Sequence, residues 1–162
     1  MQILLIGRKG TVVYEVMLER VPDVALQAVL KVIVASAKTH SDLSLSADSE
    51  VQGGESLEAV TQRLHGSGES VCLSLRLWEF NVSNKVSLPL VLLRVIKWED
   101  RLDIELSFNS TPADDLSDIM QALHAYVSGL AGRFSIPVFY GGMEPAIDKD
   151  TRYFTNETLG PL

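Results

Sequence analysis

The chain has 162 residues, a formal charge of −7, and a hydrophobic fraction of 46% with 7% aromatics. That is the length of one domain with ordinary globular composition, which excludes a fibrous repeat and a disordered chain. The acidic balance disfavours a phosphate-backbone surface and with it direct nucleic-acid binding, and the lone Cys72 excludes an internal disulfide and suits a reducing compartment.

The first seven residues carry no basic region ahead of their apolar run, so they do not read as a signal peptide. Residues 24–37 and 86–96 are the longest apolar stretches. Lys31, Ser87 and Arg94 interrupt them and they fall short of a membrane span. The expectation is a soluble cytoplasmic protein with no membrane partner.

Residues 3–6 and 11–18 are apolar runs separated by Gly7, Arg8, Lys9 and Gly10, which predicts a hairpin. The two basic residues between glycines could instead cradle an anion, but no phosphate-loop pattern follows them. Pro22 and Asp23 then open a helix to about Lys38, with Leu26, Val29, Leu30, Ile33 and Ala37 on one stripe. Residues 42–46 alternate as a short strand. The pattern lapses over 47–54, an acidic loop containing Asp48 and Glu50, and resumes in a short helix over 55–64 that turns Leu57, Val60 and Leu64 inward and closes at Gly66.

Three extended segments follow, at 71–80, 86–96 and 102–108. Val71, Leu73, Leu75 and Leu77 alternate with polar residues, as do Leu102, Ile104, Leu106 and Phe108, so each strand has one buried and one wet face. The short links predict an antiparallel meander. Pro89 predicts a bulge in the middle strand. Glu99, Asp100, Asp103 and Glu105 read as solvent-facing, and Trp78 and Trp98, near strand ends, as core fillers or as partner anchors, with the core role favoured.

Thr111, Pro112 and Asp114 predict a capped helix start, Leu116, Ile119, Met120, Leu123, Val127 and Leu130 its apolar stripe, and Gly132 its end. Residues 136–140 read as a further strand. Within the last segment, 134–162, no amphipathic period persists beyond Gly141, and its aromatic, acidic and glycine-containing texture suits either a recognition surface or a wrapping tail. The predicted architecture is a single α+β domain over residues 1–162, a mostly antiparallel sheet with two main helices packed on it and an irregular C-terminal segment.

His40, His65 and His124 have no metal-ligand spacing, and HExxH, CxxC, GxSxG, GxGxxG and Walker patterns are absent, so no metal, cofactor or catalytic residue is expected. Were the protein a small hydrolase, Glu144 and Asp148 with His124 would be its first candidates.

The whole acidic α+β chain without a catalytic signature, and the tail YGGMEPAIDKDTRYFTNETLGPL, resemble the immunity proteins encoded beside bacterial contact-delivered or polymorphic toxins. That resemblance implies a non-enzymatic protein that binds and neutralises a cognate toxin domain, basic in charge and of the nuclease type. Glu50, Glu144, Asp148, Asp150 and Glu157 would supply complementary charge, and Tyr140, Tyr153 and Phe154 the aromatic anchors. The competing reading is a non-catalytic subunit of a secretion or phage-related assembly.

Overall fold

Three consecutive strands in the middle of the chain form the expected meander: β3 (Val71–Asn81), β4 (Ser87–Lys97) and β5 (Leu102–Ser110) pair antiparallel in register. With β1 (Val12–Glu19), β2 (Ala37–Leu45), β6 (Val138–Met143) and β7 (Arg152–Thr155) they make a seven-stranded antiparallel sheet in the order β2-β3-β4-β5-β1-β6-β7. The computed structural model describes residues 12–46, 55–66, 70–110 and 115–159. Among these, no helix is long and apolar enough to cross a membrane.

One face of the sheet is apolar because the alternation is in phase across the strands. Leu73, Val95, Ile104, Leu18 and Phe139 follow one another along a single row of paired positions. Helices α1 (Leu26–Ala35), α2 (Leu57–Gly66) and α3 (Leu116–Phe134) bury their stripes against that face in one core, giving the expected α+β architecture. Ser36 at the end of α1 shares a 2.8 Å hydrogen bond with the Tyr126 hydroxyl on α3, tying two helices together above the sheet.

Several local expectations need correction. The first helix stops at Ala35, short of Lys38, because the chain is captured by the sheet: Asn81 N–H donates to the Ser36 carbonyl and Ala37 pairs with Phe80. The second arm of the predicted N-terminal hairpin is β1, paired with β5 on one side and β6 on the other, while its first arm and turn lie outside the described residues. The cap expected at Thr111 and Pro112 also lies outside them. Within them α3 begins at Leu116, where the Asp115 carboxylate accepts the Asp118 N–H, and it runs through Gly132 to Ser135 in the left-handed region at φ 57°.

Pro89 makes no bulge. The β3–β4 register is the same on both sides of it, and the proline lies where β4 extends beyond its pairing with β5, so its missing N–H is not required there. Both tryptophans lie outside the core: Trp78 is 37% and Trp98 45% exposed, with indole N–H groups bonded to Ser41 and Asp103. The segment read as irregular beyond Gly141 carries β7. Gly141 and Gly142 allow it to close in: a β-carbon at Gly141 would lie 2.5 Å from the Phe154 ring, and one at Gly142 would strike the Thr151 carbonyl.

Candidate partner-binding surface

The face of the sheet opposite the helices mixes polar and apolar side chains and is only partly covered. Over β3 and β4 it presents Cys72, Ser74, Arg76 and Trp78 beside Leu90, Leu92, Arg94 and Ile96. Towards β5, β1 and β6 the 144–147 stretch between β6 and β7 lies over it. The physical cause is a pair of buried carboxylates. Glu15 Oε1 accepts the Ala146 N–H at 2.8 Å, holding that stretch down. Glu105 is hydrogen-bonded to Glu15, and its Oε2 stands 2.9 Å from Arg94 Nε on the neighbouring strand. Burial first, and then that hydrogen bond, raise the Glu105 carboxyl from 4.5 to about 7, against the lowering effect of Arg94.

The alternating polar residues of β5 are therefore not wet, as the period of two suggested. Asp103 is 2% and Glu105 8% exposed. Asp103 is satisfied by the Arg20 N–H, the Trp98 indole and Arg101. Burial raises the nearby Cys72 thiol, Arg94 opposing, which keeps it protonated at neutral pH.

The tail residues separate into three environments. Phe154 is fully buried on the helix face, its ring meeting His124 edge-on at 5.3 Å and Phe139 at 6.3 Å. Tyr153 packs half-buried on the same core. Tyr140 is buried on the opposite face, where its hydroxyl donates to Glu19 Oε2 at 2.6 Å and its ring carries the Arg152 guanidinium at 5.5 Å. Burial and the Glu19 contact hold its phenol well above the ordinary tyrosine value.

Phe154 and Tyr140 are thus framework, and neither is an exposed anchor. The expected acids do not form one patch either. Asp148 and Asp150 are exposed on the β6–β7 connection, with the half-buried Glu144 beside them, while exposed Glu157 follows β7 at the opposite end of that hairpin. Glu50 lies outside the described residues.

The hydrolase constellation is not assembled. His124 packs against Phe139 and Phe154 under the sheet, whereas Glu144 adds its field to Glu105 on the other face. Among the described residues no cluster of three or more His, Cys, Asp or Glu is arranged for a metal ion. A shallow depression of about 470 Å³ at the far end of β2–β4 is bordered by Lys38 and Glu79, which pair with each other at 3.4 Å.

Residues 12–159, spanning all seven strands and three helices, match the model of the PABL017 Cdi1I immunity protein family. The chain belongs to this immunity protein family. No curated protein matches it. A chain in the crystal structure of the toxic C-terminal tip of CdiA from Pseudomonas aeruginosa in complex with immune protein superposes with a TM-score of 0.82 at 30% identity, covering 94% of this chain and 99% of that one.

Sequence reasoning missed Glu15 and Arg152, which organise the tail. Glu15 stands in the apolar run VVYEVMLE, and that interruption was its only visible signal.

Proposed function

We propose that this immunity protein binds the toxic C-terminal tip of a CdiA protein one-to-one and neutralises it without catalysis, by covering its active site or locking an adjacent surface. The observation that carries this reading is the coextensive likeness, 94% of one chain on 99% of the other, to a chain of a toxin–immunity complex, together with membership of the immunity family. A net charge of −7 and the exposed Asp148, Asp150 and Glu157 suit a basic toxin domain, the charge expected of an enzyme acting on RNA or DNA.

The charge element has a kinetic test. Exposed carboxylates of this kind steer encounter more than they hold the complex. Replacing Asp148 and Asp150 with lysine should slow association with the toxin tip about tenfold at low ionic strength and flatten its dependence on salt. Stopped-flow mixing at two salt concentrations measures both. Equal association rates for the two proteins at low salt would remove these carboxylates from the encounter.

A further inference from the structure

The connection between β6 and β7 is a largely exposed stretch held by many hydrogen bonds. Met143 N–H donates to the Thr151 carbonyl, Glu144 N–H to Val13, Asp148 N–H to Pro145, and the N–H groups of Thr151 and Arg152 both donate to the Asp148 carbonyl. The Thr151 hydroxyl adds a bond to the Pro145 carbonyl. From beneath, the buried Glu15 carboxylate takes the Ala146 N–H at 2.8 Å. From the side, Arg152 donates through its terminal nitrogen to the Ile147 carbonyl at 2.6 Å and through Nε to Ala146 at 3.4 Å, its guanidinium resting on the Tyr140 ring. These bonds engage the N–H groups of Met143, Glu144, Ala146, Asp148 and Thr151 and the carbonyls of Pro145, Ala146, Ile147, Asp148 and Thr151.

At the crest of this support stands Ile147, 58% exposed. Single exposed apolar residues are common and need no explanation. Val24 is more exposed still, at 96%, but stands on a three-residue turn with no such mount. Ile147 differs because the buried Glu15 carboxylate holds the N–H of the preceding Ala146 and Arg152 holds the Ile147 carbonyl. Its surroundings are also charged in one sense. Residues 143–151 contain Glu144, Asp148 and Asp150 against Lys149 alone, and the next cation, Arg152, is half-buried and bonded to the Ile147 carbonyl. An apolar tip on a net-acidic turn is complementary to an apolar socket in a basic surface.

We infer that Ile147 is the central anchor for the toxin domain, presented on a preorganised acidic turn by Glu15 and Arg152, with Tyr140 as the platform beneath Arg152. This rests on the proposed toxin-binding function and locates it. Immobilising the turn before encounter removes the ordering cost that a flexible loop would bear on binding. Glu15, Arg152 and Tyr140 are positioning residues that act through Ile147 and need not touch the partner.

The test is calorimetric titration of the intact protein with the purified C-terminal tip of the CdiA encoded beside its gene. Ile147→Asp, an exposed substitution, should weaken binding about thirtyfold or more, the loss expected of a hot-spot residue, with an unchanged thermal midpoint. Arg152→Ala should weaken it about tenfold alone and by nothing further in the Ile147→Asp background, since loosening a mount has no effect once its tip is gone. Wild-type binding that Ile147→Asp leaves within about twofold, or additive losses in the double variant, would overturn the anchor while the toxin-binding function stands. A wild-type protein that does not bind the tip would overturn both.

Discussion

Replacing Phe154 with alanine should destabilise the protein by about 3–5 kcal/mol, the range for deleting a fully buried phenylalanine side chain, and lower its thermal midpoint by roughly 10 °C. The ring is inaccessible to solvent, lies over the position where Gly141 lacks a side chain, and closes an aromatic cluster with His124 and Phe139. β7, which carries it, is only four residues long. Differential scanning calorimetry measures the loss. A variant with near-native stability and abolished toxin binding would instead make Phe154 a surface anchor and the buried placement of β7 wrong.

The second large effect concerns pH. Glu105 is raised from 4.5 to about 7 in the fold, so between those values the native state holds a proton that the unfolded chain has released. Stability from this group is therefore complete below about pH 4.5, declines as pH rises, and is gone above about pH 7. The shift corresponds to about 3 kcal/mol across that window. In Glu105→Gln the side chain keeps its shape but cannot ionise. Measured by urea unfolding from pH 4.5 to 8, the difference in stability between variant and wild type should move in the variant's favour by about that amount. A constant difference over the range would show that Glu105 titrates near its ordinary value. The groups facing it are Glu15 on β1, Arg94 on β4, Glu144 beyond β6 and Cys72 on β3.

The meander and the helices were legible because apolar periodicity reports burial on one face directly. Val71 through Leu77 and Leu102 through Phe108 show it, and each inward residue of β3 falls opposite an inward residue of β4. The second face was not legible. A carboxylate alternating with leucines reads as wet unless its partners are known, and those of Glu105 come from β1 and β4, 90 residues and 11 residues away in sequence. The aromatic tail misled for a related reason. Phe154 and Tyr140 look like surface anchors in a stretch without amphipathic period, yet a four-residue strand with a register shift between Gly141 and Gly142 turns one into the core and the other against Arg152. The acidic character of the tail could be read from its composition. Its division between two ends of a hairpin could not, since that depends on where β6 and β7 pair.

Hydrogen–deuterium exchange of the immunity protein, alone and saturated with its CdiA toxin tip, tests the central claim most directly. Docking on the preorganised turn predicts added protection in peptides covering residues 143–151, with little change along β3 and β4. Protection concentrated instead around Trp78, Leu90 and Leu92, with the 143–151 turn exchanging as in the free protein, would place the toxin on the open sheet and contradict it.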